Sequence, residues 1–437
     1  MLIRVFALLA FLALPISAYG EADDIPPAAE IAEPGGTITL RDALSLTLAH
    51  NPSLAAYSWE VRAKEAEAIQ AGLLPNPEIE SLLEDFGGTG SVEGFKGTET
   101  TVLLSQLVPL WGKVSKRKKL AVLDTDLAGW DYEAARLDVL TNTAKAFTGV
   151  LAAQRQLKLT EELTALAKRV YATVAEQASA GEISPIQEKR AKVAYSQSEI
   201  RLDRARRDLD TARKQLALQW GSTKPSFVKA EGDLDEVFPI PAYDRIAEFI
   251  SQNPDIARWV TEMEQREAAL KLEKARAVPD PIISGGYRHI SEKDDNAFVV
   301  GLSIPLPVFD RNQGSILEAR RRILKGEEEK RNAEAAVNAS LDVAYQVLST
   351  AYNEAQALKN EVLREAESAY ESIFEGYREG KFSLLDVLDA QRTVFDADSQ
   401  YVQALKSYHF SLADVERLTG TPVQEIQNST AGREKTK

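Results

Sequence analysis

The chain has 437 residues, no cysteine and a formal net charge of −14 at pH 7. The absence of cysteine excludes disulfide bonds, thiolate metal sites and an acylated N-terminal cysteine. The acidic balance argues against nucleic acid as a partner, and it is compatible with a lumen that passes cations.

Residues 1–20 predict a secretory signal peptide. Arg4 precedes an apolar run from Val5 to Ile16, and the small residues of Ser17-Ala18-Tyr19-Gly20 follow it. That run is too short to span a bilayer. Because no later stretch is long enough for a transmembrane helix, a membrane location would require a β-barrel. Residues 21–37 then predict an extended leader.

Several motifs occur twice, about 200 residues apart, which predicts a tandem duplication. A copy on this scale indicates a structure whose symmetry serves its function, such as a wall or conduit. We expect a first repeat over 38–221, a linker over 222–243, a second repeat over 244–421 and a polar tail over 422–437. The paired motifs are Asn51-Pro52 with Asn253-Pro254, Pro75-Asn76-Pro77 with Pro279-Asp280-Pro281, and Ala180-Gly181-Glu182-Ile183-Ser184 with Glu379-Gly380-Lys381-Phe382-Ser383.

The first repeat is predicted to open with a helix and a β-hairpin. Thr39 and Asp42 have the spacing of a capping box for a helix over roughly 40–72. Alternating segments at 78–86 and 98–107, separated by a glycine-rich loop, then indicate two antiparallel strands.

The second repeat contains the corresponding strands at 282–290 and 297–304. A strand with large apolar residues on one face and small residues on the other is typical of a barrel wall between lipid and a lumen. An ordinary sandwich strand has the same pattern, so the strand alone leaves both architectures open. The large residues on one face of the last strand are Phe298, Val300, Leu302 and Ile304.

A long proline-free run, rich in strong helix formers, follows each hairpin. Runs at about 113–178 and 312–378 predict helices roughly 100 Å long. Each run stops at a glycine-centred break, and a return helix then continues to Gly221 or Gly420. The second return helix has a heptad-spaced seam that favours coiled-coil packing. The seam consists of Leu388, Phe395, Val402 and His409, interleaved with Leu405 and Leu412.

The two breaks predict the tips of helical hairpins. At the first, Ser184, Pro185 and Gln187 have the order of an N-cap, a proline at the first helical position and a capping-box partner. At the second, Ser383 and Asp386 have the capping-box spacing.

A β-hairpin followed by a very long helical hairpin, present twice in an exported chain, resembles the TolC-type outer-membrane efflux proteins. PLPVFDRNQG at 305–314 and YREGKFSLLDVLDAQ at 377–391 resemble the strand-to-helix junction and the periplasmic tip of the heavy-metal and cation branch. The resemblance implies a mainly α fold with a β-barrel contribution. Three chains would each supply four strands to a twelve-stranded barrel that continues as an α-helical periplasmic tunnel. Four strands cannot close a barrel alone, so oligomerisation is also expected physically.

The function implied by the resemblance is passive conduction, without enzymatic activity or a cofactor. The homotrimer would lie in the outer membrane of a Gram-negative cell, contact its lipid and extend into the periplasm. A periplasmic adaptor would connect it to an inner-membrane pump of the RND type, and metal cations would be the cargo. His50, His289 and His409 are far apart in sequence, so no metal-ligand cluster is predicted. A periplasmic coiled-coil scaffold or an adaptor protein is the alternative.

By the same resemblance, Asp386 and Asp389 match aspartates that line the periplasmic constriction of the tunnel. Three copies of each would form acid rings around a three-fold axis, and such rings attract cations. Asp386 has an alternative role as the capping-box partner of Ser383, and acids are in general favourable near a helix N-terminus. The first repeat has Gln187 and Arg190 at the corresponding positions, so only one hairpin would supply the acids.

Tyr377 matches a tip tyrosine that helps to hold the inner hairpin closed in the family. Lys381 is the basic residue of this gate, although it follows Gly380 directly and Phe382 occupies the usual basic position. The candidates for adaptor docking at the tips are Gly181, Ser184, Gly380 and Ser383, which also have ordinary turn chemistry.

A dense basic run opens the first long helix. It could lie near lipid headgroups and attract anionic lipid, or form a plain solvated helix face. The run consists of Lys113, Lys116, Arg117, Lys118 and Lys119, and Arg320, Arg321 and Arg322 occupy the analogous place in the second repeat.

Overall fold

The computed structural model describes residues 33–427, so the predicted signal peptide and most of the predicted leader and polar tail lie outside the described residues. The described chain is mainly helical, as expected. It also contains a four-stranded antiparallel sheet and a parallel pair of short strands.

The elements follow one another in the order strand, helices, hairpin and long helical hairpin, and most of this order recurs. The first half contains β1 (Gly36–Thr39), α1 (Leu40–His50), α2 (Pro52–Ala71), β2 (Glu78–Glu84), β3 (Glu99–Leu107), α3 (Lys113–Ser179), α4 (Pro185–Leu218) and β4 (Phe227–Glu231). The second contains α5 (Tyr243–Ala247), α6 (Pro254–Arg276), β5 (Ile282–Ile290), β6 (Asp295–Ser303), α7 (Gln313–Ala357), α8 (Arg364–Arg378) and α9 (Leu384–Thr419).

The predicted single helix over 40–72 is wrong, because the chain breaks it at Asn51. Asn51 has an extended backbone, and its side-chain oxygen accepts the Leu54 N–H at 2.9 Å, which starts α2 with Pro52 in its first turn. A proline has no N–H to donate and disfavours helical geometry in the residue before it. The predicted capping box of α1 is confirmed, since Thr39 N–H donates to Asp42 Oδ2 at 3.0 Å and the Asp42 N–H donates to Thr39 Oγ1.

The sheet unites the two halves of the chain. Its strand order is β2-β3-β5-β6, and every neighbouring pair is antiparallel. The β3–β5 pair joins the halves in a register that places Thr101 opposite Arg288. Each half therefore contributes two strands to one sheet.

Two helical hairpins extend from this sheet. Helix α3 has 67 residues and is about 100 Å long. The corresponding run of the second half is not one α-helix, because a π-helical turn over Leu358–Leu363 separates α7 from α8. Leu358 and Leu363 pack into the core around α9, at the level where the linker passes. Within residues 33–427, no helix is both long enough and apolar enough to cross a membrane.

The linker between the repeats packs along α9 at mid-height. The Tyr408 hydroxyl bonds the backbone of Phe238, accepting its N–H at 3.1 Å and lying 3.2 Å from its carbonyl oxygen. His409 Nε2 lies 2.9 Å from the Leu234 carbonyl oxygen. Burial lowers the pKa of His409, so this imidazole is a neutral donor packed in the seam.

Two buried asparagines fasten equivalent helix ends together. Asn51 Nδ2 donates to the Gln219 carbonyl oxygen at 2.6 Å, just after the end of α4. Asn253 accepts the Asp255 N–H at 2.8 Å and donates to the Leu418 carbonyl oxygen of α9 at 2.9 Å. The duplicated Asn-Pro motif is therefore both an N-cap and a clamp on the C-terminal end of a return helix.

Of the two alternatives for the basic run at the start of α3, the plain solvated helix face does not hold for three of its five residues. Lys113 forms an ion pair with Asp280 at 2.7 Å, and Lys116 donates to a backbone carbonyl. Arg117 donates to the carbonyl oxygens of Ala71 and Leu73, each at 2.6 Å. These cations brace the junction between sheet and helices.

Candidate conduction face and periplasmic tips

One face of the four-stranded sheet is apolar. In an antiparallel pair, directly opposite residues project from the same face, and the observed registers therefore sort every strand residue. Phe298 is 92% exposed and Val300 is 86% exposed, and they lie in one patch with other exposed apolar side chains. Monomeric proteins in water rarely expose large contiguous apolar patches. The large side chains of this apolar face are Ile79, Leu83, Val102, Leu104, Ile283, Tyr287, Phe298, Val300 and Leu302.

The other face carries every Asp, Glu, Lys and Arg of the four strands, and we call it the acidic face. It also carries apolar side chains and several small residues, which leave little side-chain bulk on parts of it. The apolar side chains are Leu82, Leu103, Leu107, Ile282, Ile290 and Val299. A Cβ on Gly301 would collide with Ser284 Oγ, and one on Gly286 would collide with the backbone of β3. The charged residues of the acidic face are Glu78, Glu80, Glu84, Glu99, Arg288 and Asp295.

An ion pair crosses the boundary between the two halves on the acidic face. Arg288 Nη1 lies 3.0 Å from Glu99 Oε2, and Arg288 Nε donates to Thr101 Oγ1 at 3.0 Å. Sequence reasoning missed this pair, because it depends on the β3–β5 register and no local pattern reveals that register.

The first tip is a simple turn with a serine cap. Gly181 has a φ of +76°, which glycine adopts without strain. The Ser184 hydroxyl accepts the Ile186 N–H at 3.3 Å. The predicted capping-box role of Gln187 is wrong, because Gln187 only donates its backbone N–H to the Ser184 carbonyl oxygen.

The second tip has the complete capping box. Gly380 has the same φ of +76°. The Ser383 N–H and hydroxyl both donate to Asp386 Oδ2, at 2.8 and 2.7 Å. These two bonds lower the pKa of Asp386, so its exposed carboxylate is ionised and already holds the helix start.

Asp389 lies one turn further along α9, and its side chain is exposed. It lines a groove between α4 and α9 together with Arg201, Arg392 and Phe395. Arg201 lies over the Phe395 ring at 5.8 Å and connects the two hairpins. Unlike Asp386, Asp389 has a carboxylate that is not used by a cap.

Tyr377 and Lys381 lie on the same tip without contacting each other by a hydrogen bond. Lys381 pairs with Glu379 at 2.6 Å. Tyr377 is half-buried, and within residues 33–427 its hydroxyl forms no hydrogen bond. The Phe382 ring lies on Gly376, where a Cβ would overlap it.

The structure shows no grouping for metal chemistry in the part of the chain that it describes. Over residues 33–427, no three His, Cys, Asp or Glu side chains are placed to hold a metal ion. His289 Nδ1 lies 3.0 Å from Asn296 Oδ1 in the sheet, far along the chain from His409 in the linker contact.

Comparison with known proteins identifies the family that shares this architecture. The profile of the family described as outer membrane efflux protein matches residues 43–222 and 246–421. The cobalt-zinc-cadmium resistance protein CzcC of Cupriavidus metallidurans is 34% identical over 389 residues, which cover 89% of this chain and 91% of CzcC. The solved structure of CusC matches with a TM-score of 0.73 at 16% identity, over 87% of this chain and 92% of that one. The CmeC outer membrane channel of Campylobacter jejuni matches with a TM-score of 0.71 at 18% identity, over 87% and 85%. The chain therefore belongs to the outer membrane efflux protein family, in its TolC-type metal-efflux branch.

Proposed function

We propose that three copies of this chain form the outer-membrane channel of a tripartite efflux system and conduct metal cations passively to the exterior. The observation that carries the proposal is the segregation of all strand charges onto one face of a sheet whose other face is exposed and apolar.

Energetics decide which face lines the lumen. A Lys or Arg on the lipid face of an outer-membrane strand costs about 2–4 kcal/mol at mid-bilayer, with Asp and Glu costing less. Burying the acidic face in lipid would incur such a cost at six residues and expose the apolar face to water. The opposite orientation avoids both penalties, so the apolar face contacts lipid and the acidic face lines the lumen.

The edges of the sheet support closure by other copies. β2 and β6 are its outer strands, and within the described chain each has one edge without a β partner. Unpaired edges are not tolerated within a bilayer, and four strands are too few to close on themselves. Three copies joined edge to edge provide a twelve-stranded wall.

The cargo is proposed from charge and from relatives. CzcC is named for cobalt, zinc and cadmium, and the related CnrC of Cupriavidus metallidurans for nickel and cobalt. Carboxylate rows on the acidic face would concentrate such cations along the path. Selectivity among them belongs to the pump that delivers them.

The hairpin tips are proposed to meet the periplasmic adaptor, which connects them to an inner-membrane pump. Gly181 and Ser184 present one tip, and Gly380 and Ser383 present the other. Asp389 is the acid we assign to the constriction, because its carboxylate is exposed and not used by a cap. Asp386 adds charge there while it holds the helix start.

The gate at the second tip is proposed to consist of Tyr377 and Lys381. The Tyr377 hydroxyl is available for a bond to another copy, whereas Lys381 would first have to leave Glu379. The repeats 38–221 and 244–421 act as the two walls of each protomer, and the linker 222–243 belts them at mid-height.

Planar-bilayer recording of the purified protein tests the proposal. We expect discrete channels with a K⁺ permeability above that of Cl⁻, and a lower K⁺/Cl⁻ ratio in Glu80→Gln. Glu65→Gln, which neutralises an exposed helical glutamate of α2, is the matched control and should leave the ratio unchanged. A protein that stays monomeric and never conducts would overturn the channel and favour a periplasmic scaffold.

A further inference from the structure

Arg288 differs in charge from the other ionised residues of the four strands. It is the one Lys or Arg in β2, β3, β5 and β6, and it lies on the acidic face. Its side chain is 36% exposed, and it holds Glu99 at 3.0 Å and Thr101 at 3.0 Å. Both contacts fix the guanidinium at the β3–β5 boundary.

The carboxylates around Arg288 form a row at the ends of the strands farthest from the long helices. Glu84 lies directly opposite Glu99 in the β2–β3 register. Opposite residues of an antiparallel pair have Cβ atoms about 5 Å apart. Two carboxylates at that separation repel each other, and they match the oxygen ligands that a divalent cation prefers.

We propose that Arg288 is a release residue, which keeps the Glu84–Glu99 row from retaining the divalent cations that pass it. A conduit must bind ions well enough to admit them and weakly enough to let them leave. By occupying Glu99, Arg288 removes one of the two carboxylates a cation would bridge and adds a positive charge at the exit. This inference rests on the proposed function, because it takes the acidic face as the lumen.

The ion pair lies near the outer mouth, where retention would matter most. The acids nearer the helices, Glu78 and Glu80, lie opposite Ser105 and Leu103, and among residues 33–427 neither of them forms an ion pair. A cation moving outward therefore meets Glu78 and Glu80 first. At the outer row it meets Glu84 and Asp295 together with Glu99, whose charge Arg288 neutralises. Asp295 shares the outer row but lies opposite Ile290, on the far side of Arg288.

The test is the block of K⁺ current by Ca²⁺, together with the K⁺/Cl⁻ permeability ratio from reversal potentials in a KCl gradient. Arg288→Gln should raise the ratio and lower the half-blocking Ca²⁺ concentration by at least about fivefold. That is the factor for two unit charges roughly 4 Å apart in water, and the double charge of Ca²⁺ makes it a lower bound. Arg288→Lys keeps the charge and should resemble the wild type in both readouts.

The double variant Glu99→Gln with Arg288→Gln separates charge from structure. It removes the ion pair but restores the net charge of the face, so its permeability ratio and Ca²⁺ block should return towards wild-type values. A purely structural role for Arg288 predicts instead that the double variant is at least as perturbed as Arg288→Gln. That result, or an unchanged Arg288→Gln channel, would overturn the inference.

The channel itself is judged by different outcomes. Wild-type protein that gives no conductance would overturn the proposed function. A conducting wild type whose ratio responds to Glu80→Gln but not to Arg288→Gln would leave the channel standing and overturn the release role alone.

Discussion

The asparagine clamp of the second repeat offers a sharp test of how the fold is held. Asn253 is fully buried, and its side chain serves two helices at once. The oxygen caps α6 through the Asp255 N–H, and the amide donates to the Leu418 carbonyl of α9. Asn253→Ala removes both bonds.

The expected cost follows from these two bonds. Loss of an asparagine cap costs about 0.5–2 kcal/mol. A buried carbonyl left without a partner costs about 1–3 kcal/mol. Their sum, about 1.5–5 kcal/mol, lowers the melting temperature of a chain this size by about 2–5 °C, since the entropy of unfolding grows with length.

Circular dichroism melts in detergent measure this effect. Asn51→Ala should give a loss of similar size, because Asn51 caps α2 and bonds the Gln219 carbonyl in the same way. Asn253→Asp keeps the cap but not the donor, and should retain the cost of the orphaned carbonyl. Ser383→Ala, at an exposed tip, should lose only its cap energy. The reasoning is refuted if Asn253→Ala melts with the wild type or no lower than Ser383→Ala.

Three further predictions concern packing, pH and block. Gly326→Ala should lower the melting temperature, because its Cβ would overlap the Arg266 guanidinium that bridges Glu262 and Glu329. Gly314→Ala, with open space around its Cβ, should be neutral or stabilising. Equal changes of the melting temperature in the two variants would contradict this prediction. Burial lowers the pKa of His409 in the folded protein. Its contribution to stability is therefore complete above the unfolded-state pKa of about 6.5 and is lost as the pH falls towards the folded-state pKa. The melting temperature of the wild type should drop more than that of His409→Gln on acidification through this range, and equal drops would refute the prediction. Asp389→Asn should weaken cation block of the pore, and unchanged block in bilayer recordings would remove Asp389 from the proposed constriction.

Local sequence rules predicted the features that local chemistry determines. Thr39 with Asp42, and Ser383 with Asp386, form the capping boxes that their spacing indicates. Gly181 and Gly380 adopt the positive φ expected at a tight break. These signals lie within a few residues of one another, so no knowledge of the fold is needed to interpret them.

Long-range contacts were beyond such rules. The clamp from Asn51 reaches a carbonyl 168 residues away, and Arg288 reaches Glu99 across 189 residues. The engagement of Lys113 and Arg117 could not be predicted, because their acceptors, mostly backbone carbonyls, leave no pattern in the sequence. The π-helical turn over Leu358–Leu363 also has no local marker, since it inserts into a run of good helix formers.

The role of the tip residues stays a prediction after the structure. Asp386, Asp389, Tyr377 and Lys381 lie together near the second tip, but a constriction is a property of several copies around an axis. Within one chain, the Asp386 carboxylate is bonded in the cap and Lys381 is paired with Glu379, whereas the Asp389 carboxylate is not used by a cap.

The native mass of the purified protein in detergent tests the central claim most directly. The account predicts three chains, because the free edges of β2 and β6 must pair with other copies to close a wall of twelve strands. A stable monomer or dimer would contradict it, since four strands cannot close and the side chains of an eight-stranded barrel fill its interior.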